Sequence, residues 1–230
     1  MTSKKKSIIS LILNVIIIIS TVYAISLFFT TTPDQGNMQV SGMEFLRFFT
    51  NLSNIFVSIA ALVMIVFNIR NLRTGSDFFP KWAMLLKFTA TISVSVTFIT
   101  VVVFLGPMFM AMGQSYWVIF AGNCFFLHFT TPVIAIISIL FFEKCETFEK
   151  KYAFLGLLPT FLYSIVYVTM VVFVGKDNGG WPDFYGFTFG GKMYFVPISL
   201  TAMYALTILL SLTEWKIIQK INAKHQISKK

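Results

Sequence analysis

Six apolar stretches follow one another along this chain, and each is about the 20 residues that a helix needs to cross a bilayer. They run over residues 8–29, 45–69, 82–105, 117–142, 152–174 and 195–215, and short polar segments separate them. Only 12% of the residues are charged and 57% are hydrophobic, against about 25% charged in an average soluble domain. This pattern predicts an all-α, polytopic membrane protein, a single domain over residues 1–230 built as a bundle of six transmembrane helices. The first stretch follows Lys4-Lys5-Lys6, as a signal peptide would, and Val22-Tyr23-Ala24 resembles a cleavage site. Its apolar length exceeds a signal core of about 7–15 residues, so a retained span is expected.

The net charge of +9 is an orientation signal. Lys4, Lys5, Lys6, Arg70, Arg73, Lys81, Lys144, Lys150, Lys151 and the lysines of the tail fall on one side of the alternating spans, and only Arg47, Lys176 and Lys192 fall on the other. The positive-inside rule then puts both termini in the cytoplasm of a multi-pass plasma-membrane protein. It removes the case for nucleic acid as a partner and leaves membrane lipid. Cys124 and Cys145 are too few for a disulfide framework and are expected as free thiols, with no metal site and no cofactor. Lys87, near the start of span three, is expected to snorkel to the interface. Residues 143–151 read as a loop of mixed charge.

His128 reads as the one ionisable side chain deep in an apolar run, which makes it a functional candidate whose partner must be found. The partner sought is a polar stripe in span two, Arg47, Thr50, Asn51, Asn54 and Ser58, at helical spacing. Cys124, His128 and Thr131 form a matching stripe in span four. Both would lie in the outer half of the bilayer, beneath a loop carrying Trp181, Pro182, Asp183 and Tyr185. An apolar pocket with a few polar groups is the usual form of a small-molecule site.

Phe45-Leu46-Arg47-Phe48-Phe49-Thr50, Leu127-His128-Phe129-Thr130-Thr131-Pro132 and Gly180-Trp181-Pro182-Asp183-Phe184-Tyr185 together resemble the androgen-induced family of membrane hydrolases, which cleave fatty acid esters of hydroxy fatty acids. Phe49-Thr50-Asn51-Leu52-Ser53-Asn54 is similar to the bacterial six-span relatives of that family, and a bacterial source is the corresponding expectation. The resemblance implies an intramembrane threonine nucleophile, Thr50, a histidine, His128, and a fatty acyl ester as substrate. Asn51 and Asn54 would then stabilise the oxyanion, Arg47 would hold a substrate carboxylate, and Trp181 and Asp183 would line the entrance. The absence of a carboxylate from the spans favours a dyad over a triad. Each residue has a structural alternative: Thr and Asn as helix–helix contacts, Arg47 and Trp181 as interfacial anchors. Two further functions stay open, a small transporter or channel-like protein with His128 as proton relay and a non-enzymatic accessory protein.

Overall fold

The computed structural model describes residues 2–30, 42–76, 78–145 and 148–227, with side chains described through residue 222. Most of the expected loop at 30–44, with Pro33, Asp34 and Gly36, lies outside them. The α-helices are α1 Ser3–Thr30, α2 Phe49–Thr74, α3 Lys81–Thr100, α4 Gly106–Ala111, α5 Thr131–Phe141, α6 Leu158–Val168 and α7 Phe195–Ile227. π-Helical turns at Val101–Leu105, Phe126–Thr130 and Thr169–Val174 and a 3₁₀ turn at Lys150–Leu157 extend them, and further 3₁₀ turns lie at Gly42–Arg47 and Tyr116–Phe120. Five helical stretches are long and apolar enough to cross a membrane: Ser3–Thr30, Phe49–Thr74, Lys81–Ala111, Lys150–Val174 and Phe195–Asn222.

The expected span at 117–142 differs. Its continuous apolar helix is the shorter Phe126–Phe141. The preceding 3₁₀ turn ends at Phe120, Gly122 follows at φ 59°, and the chain re-enters a helix only at Cys124. Span two also starts later than expected, at Phe49, because Gly42–Arg47 is a separate 3₁₀ turn.

The helices are inside out relative to those of a soluble protein. α1 buries Ser7, Ser10, Asn14, Ile17, Thr21, Ala24 and Phe28 at intervals of three and four residues. Its opposite face exposes Ile12, Ile16, Ile19 and Val22. Hydrocarbon solvates the aliphatic face, so packing selects small and polar residues for the interior. α1 lies against α2 and α5, and α3 lies against α2, α5 and α7.

Two prolines shape the bundle by the same device. In the π turn before Pro107, the Gly106 N–H bonds to Val101 O. Val102 O therefore loses that donor, and Pro107 has no N–H to replace it. The Tyr116 hydroxyl donates to Val102 O at 2.9 Å instead. Gly106 makes room for this, because a Cβ there would lie 2.7 Å from Tyr116 Cδ2. In the turn before Pro132, the Thr131 N–H bonds to Phe126 O. Leu127 O is freed in turn, and Asn54 Nδ2 donates to it from α2 at 3.0 Å. In an apolar bundle no water solvates such a carbonyl, so a side chain must reach it.

Candidate functional site

The end of the bundle away from Lys4, Arg70 and Lys81 holds the residues singled out above. α2 starts there without a capping side chain of its own. The cap comes from the 175–194 loop, where the Tyr185 hydroxyl accepts the Phe49 N–H at 2.8 Å. The Thr50 side chain sits beside the same hydroxyl. Burial pushes the Tyr185 phenol up to about 12, against the opposing pull of Tyr163, of the Phe49 and Thr50 amides and of the Thr50 side chain. Tyr163 donates its own hydroxyl to Arg47 O at 2.6 Å, fastening the turn before α2 to α6.

Asp183 organises the covering loop. Its Oδ1 accepts from the Tyr167 hydroxyl at 2.7 Å and the Phe187 N–H at 2.9 Å. Its Oδ2 accepts from the Thr188 N–H at 2.7 Å and the Thr188 hydroxyl at 2.6 Å. Partial burial alone would raise this carboxyl, but the donors of Thr188, Tyr167 and Phe187 together hold it below its usual range. The rings of Phe184 and Phe48 meet at 4.6 Å between centroids, and Trp181 packs toward Tyr167 and Phe184. The loop is thus held by its own hydrogen bonds and ring contacts, and Asp183 spends its acceptors within it.

His128 is buried on the π turn. Its Nδ1 lies 2.7 Å from Ile119 O. A carbonyl only accepts, so Nδ1 carries the proton, and the neutral ring keeps its lone pair on Nε2. This contact ties the Tyr116–Phe120 turn to α5. Cys124, His128 and Thr131 are each buried.

α2 reaches the His128 segment through Asn54, which donates to both Thr50 O, at 2.7 Å, and Leu127 O. Both amide hydrogens of Asn54 are spent on these carbonyls. Asn51 is buried, with Nδ2 donating to Phe45 O at 2.8 Å. Arg47 pairs with Glu44 at 3.1 Å on the exposed surface. Among the described residues, no hydrogen bond joins the Thr50 hydroxyl to the His128 ring.

The reading of His128 as the sole deep ionisable group is overturned by a second polar centre, at the opposite end of the bundle. Lys87 does not snorkel. It is fully buried and donates inward to Asn14 Oδ1 at 2.7 Å. Glu143 is not a surface loop residue. Its buried Oε1 accepts from Asn14 Nδ2 at 2.6 Å, the Ser138 hydroxyl at 2.7 Å and the Ser10 hydroxyl at 3.1 Å. Nor are the spans free of carboxylates, for Glu214 of α7 is buried and accepts from the Ser95 hydroxyl at 2.6 Å. The regular buried spacing of Ser10 and Asn14 on α1 was the available sequence signal for this centre.

These features define a polytopic, all-helical membrane protein whose apolar bundle carries one polar centre at each end. Compared with protein-family models, curated proteins and solved structures, the chain matches none of them.

Proposed function

We propose that this membrane protein hydrolyses fatty acyl esters, with Thr50 as nucleophile and His128 as general base. The observation that carries the reading is the His128 tautomer: Ile119 O holds the proton on Nδ1, so the basic nitrogen is Nε2. The resemblance of the Thr50, His128 and Trp181 segments to the androgen-induced hydrolases supports it. So does the Asn54 bridge between the Thr50 turn and the His128 turn.

At rest the Thr50 side chain sits beside Tyr185. In the proposed reaction an acyl chain entering beneath the 175–194 loop separates the two and turns the hydroxyl toward Nε2. Thr50 Oγ1 then bonds to the acyl carbon while Nε2 takes its proton. The ester C–O bond breaks, and His128 returns the proton to the departing alcohol. Water, deprotonated by the same nitrogen, then adds to the acyl carbon; its bond to Thr50 Oγ1 breaks, and His128 returns the proton to that oxygen as the fatty acid leaves. Asn51 and Asn54 already donate to main-chain carbonyls, so the oxyanion is expected to draw on the Tyr185 hydroxyl once the acyl chain has separated it from Thr50.

A fluorophosphonate probe on membranes tests this. Wild type and Thr50→Ser are expected to label, and Thr50→Ala and His128→Asn are expected not to. Asparagine can still donate to Ile119 O but has no second ring nitrogen, so His128→Asn separates base from strut. Equal labelling of wild type and Thr50→Ala would end the proposal. The transport reading draws on a separate observation, the buried ionisable groups Lys87, Glu143 and Glu214. A pH-driven flux in proteoliposomes that His128→Asn abolishes would favour it.

A further inference from the structure

The hydrolase reading leaves the Lys87–Asn14–Glu143 centre unused. Its hydrogen bonds are unevenly shared. Glu143 Oε1 has three donors, whereas Oε2 of the same carboxylate is buried with none. Asn68 repeats the pattern: Nδ2 donates to the Ser10 hydroxyl at 3.0 Å, and Oδ1 is buried without a donor. Both orphan oxygens belong to groups bonded to one hydroxyl, Ser10 Oγ. A buried acceptor without a donor costs about 1–3 kcal/mol, and two on groups tied to the same hydroxyl point to a shared ligand.

The ligand must bring positive charge or hydrogens. Among the described residues, the charged groups around the centre are few. On α3, Lys87 approaches only through Asn14, which stands between the ammonium and the carboxylate. On α1, the buried Lys6 lies one turn before Ser10. α5 brings only the Ser138 hydroxyl to the cluster and α2 only Asn68. Arg70 of α2 turns to Phe78 O and Asn71 Oδ1. Lys144, next to Glu143, lies over the Phe78 ring. The ligand set is all oxygen, the kind that hard cations take. One carboxylate, with Lys87 and Lys6 both on the helices around it, leaves no electrostatic room for a divalent ion.

We propose that Glu143 Oε2 and Asn68 Oδ1, on the two groups that Ser10 Oγ joins, bind a monovalent cation of the sodium class within the bundle. The inference does not depend on the hydrolase reading.

The test uses the full chain in nanodiscs, with saturable binding of radioactive sodium in choline chloride at fixed ionic strength. Thermal unfolding in sodium chloride, potassium chloride and choline chloride accompanies it. Wild type is expected to bind one sodium per chain and to unfold at higher temperature in sodium than in choline. Glu143→Gln is expected to lose binding, and Asn68→Ala to weaken it about tenfold or more. Lys87→Met is expected to tighten it, because a competing positive charge is gone. Glu214→Gln, a buried carboxylate outside the cluster, is expected to bind as wild type does. If Glu143→Gln does not fold, Asn68→Ala and Lys87→Met carry the test. No saturable binding to wild type, or binding unchanged in both Asn68→Ala and Lys87→Met, overturns the proposal and leaves the centre a structural network.

Discussion

Replacing Asn54 by leucine removes the side-chain donor that reaches the Leu127 carbonyl, while keeping the side chain's approximate volume. Thr50 O keeps the main-chain donor of a regular α-helix, so its loss is small. Leu127 O has no such reserve, since the Thr131 N–H is taken by Phe126 O and Pro132 offers none. A buried carbonyl left unpaired costs about 1–3 kcal/mol. At about 2–4 °C per kcal/mol for a chain of 150–250 residues, a cost near 2 kcal/mol lowers the unfolding midpoint by about 4–8 °C. The decisive comparison is Asn54→Leu in a Pro132→Ala background, where an N–H at position 132 restores a main-chain donor. There the same substitution is expected to cost less than half as much, measured as a double-mutant cycle on unfolding midpoints in nanodiscs. Equal costs in the two backgrounds would refute the argument that proline and asparagine are coupled through that carbonyl.

Other outcomes follow from the same geometry. Gly106→Ala drives a methyl into the Tyr116 ring and is expected to destabilise by about 1–3 kcal/mol, read as a lower unfolding midpoint, with Tyr116→Phe costing less. Tyr185→Phe removes the acceptor for the Phe49 N–H and is expected to cost about 1 kcal/mol and to raise amide exchange at the start of α2. Asp183 is held below its usual range in the fold, so its contribution is complete above the unfolded value of about 3.9 and is lost as pH falls through the lower folded value. Proteolysis within residues 175–194 is therefore expected to accelerate under acid below that range, and in Asp183→Asn at every pH. Protection unchanged in that variant would show that the rings alone hold the loop.

The apolar runs were legible because lipid imposes a continuous one-dimensional signal of length and composition. Five of the six survive as long helices. The run at 117–142 is broken by Gly122, whose left-handed backbone hydropathy does not register. The polar stripe of α2 was legible by spacing, but its chemistry was not. Asn54 serves a main-chain carbonyl freed by Pro132, and Asn51 adds a second donor to Phe45 O beside the Phe48 N–H; a sequence gives no sign of which carbonyls a side chain will reach. The spacing of polar side chains points away from the observed partner of His128, a main-chain oxygen, Ile119 O. Lys87 and Glu143 were misread for a shared reason. Each lies near the end of an apolar run, where snorkelling or a loop is the ordinary outcome, and only the packing of α1 between them shows that they turn inward.

The bond from Asn14 to Glu143 joins residues 129 positions apart. A ribosome adding about 5–20 residues per second needs on the order of ten seconds to make that interval. During that time α1 is already synthesised and its serine, asparagine and threonine face has no carboxylate to meet. The nascent first helix therefore has to be sheltered, by the insertion machinery or by provisional pairing with α2, until the end of α5 emerges. Biogenesis, more than the finished bundle, is where substitutions along that face are expected to tell.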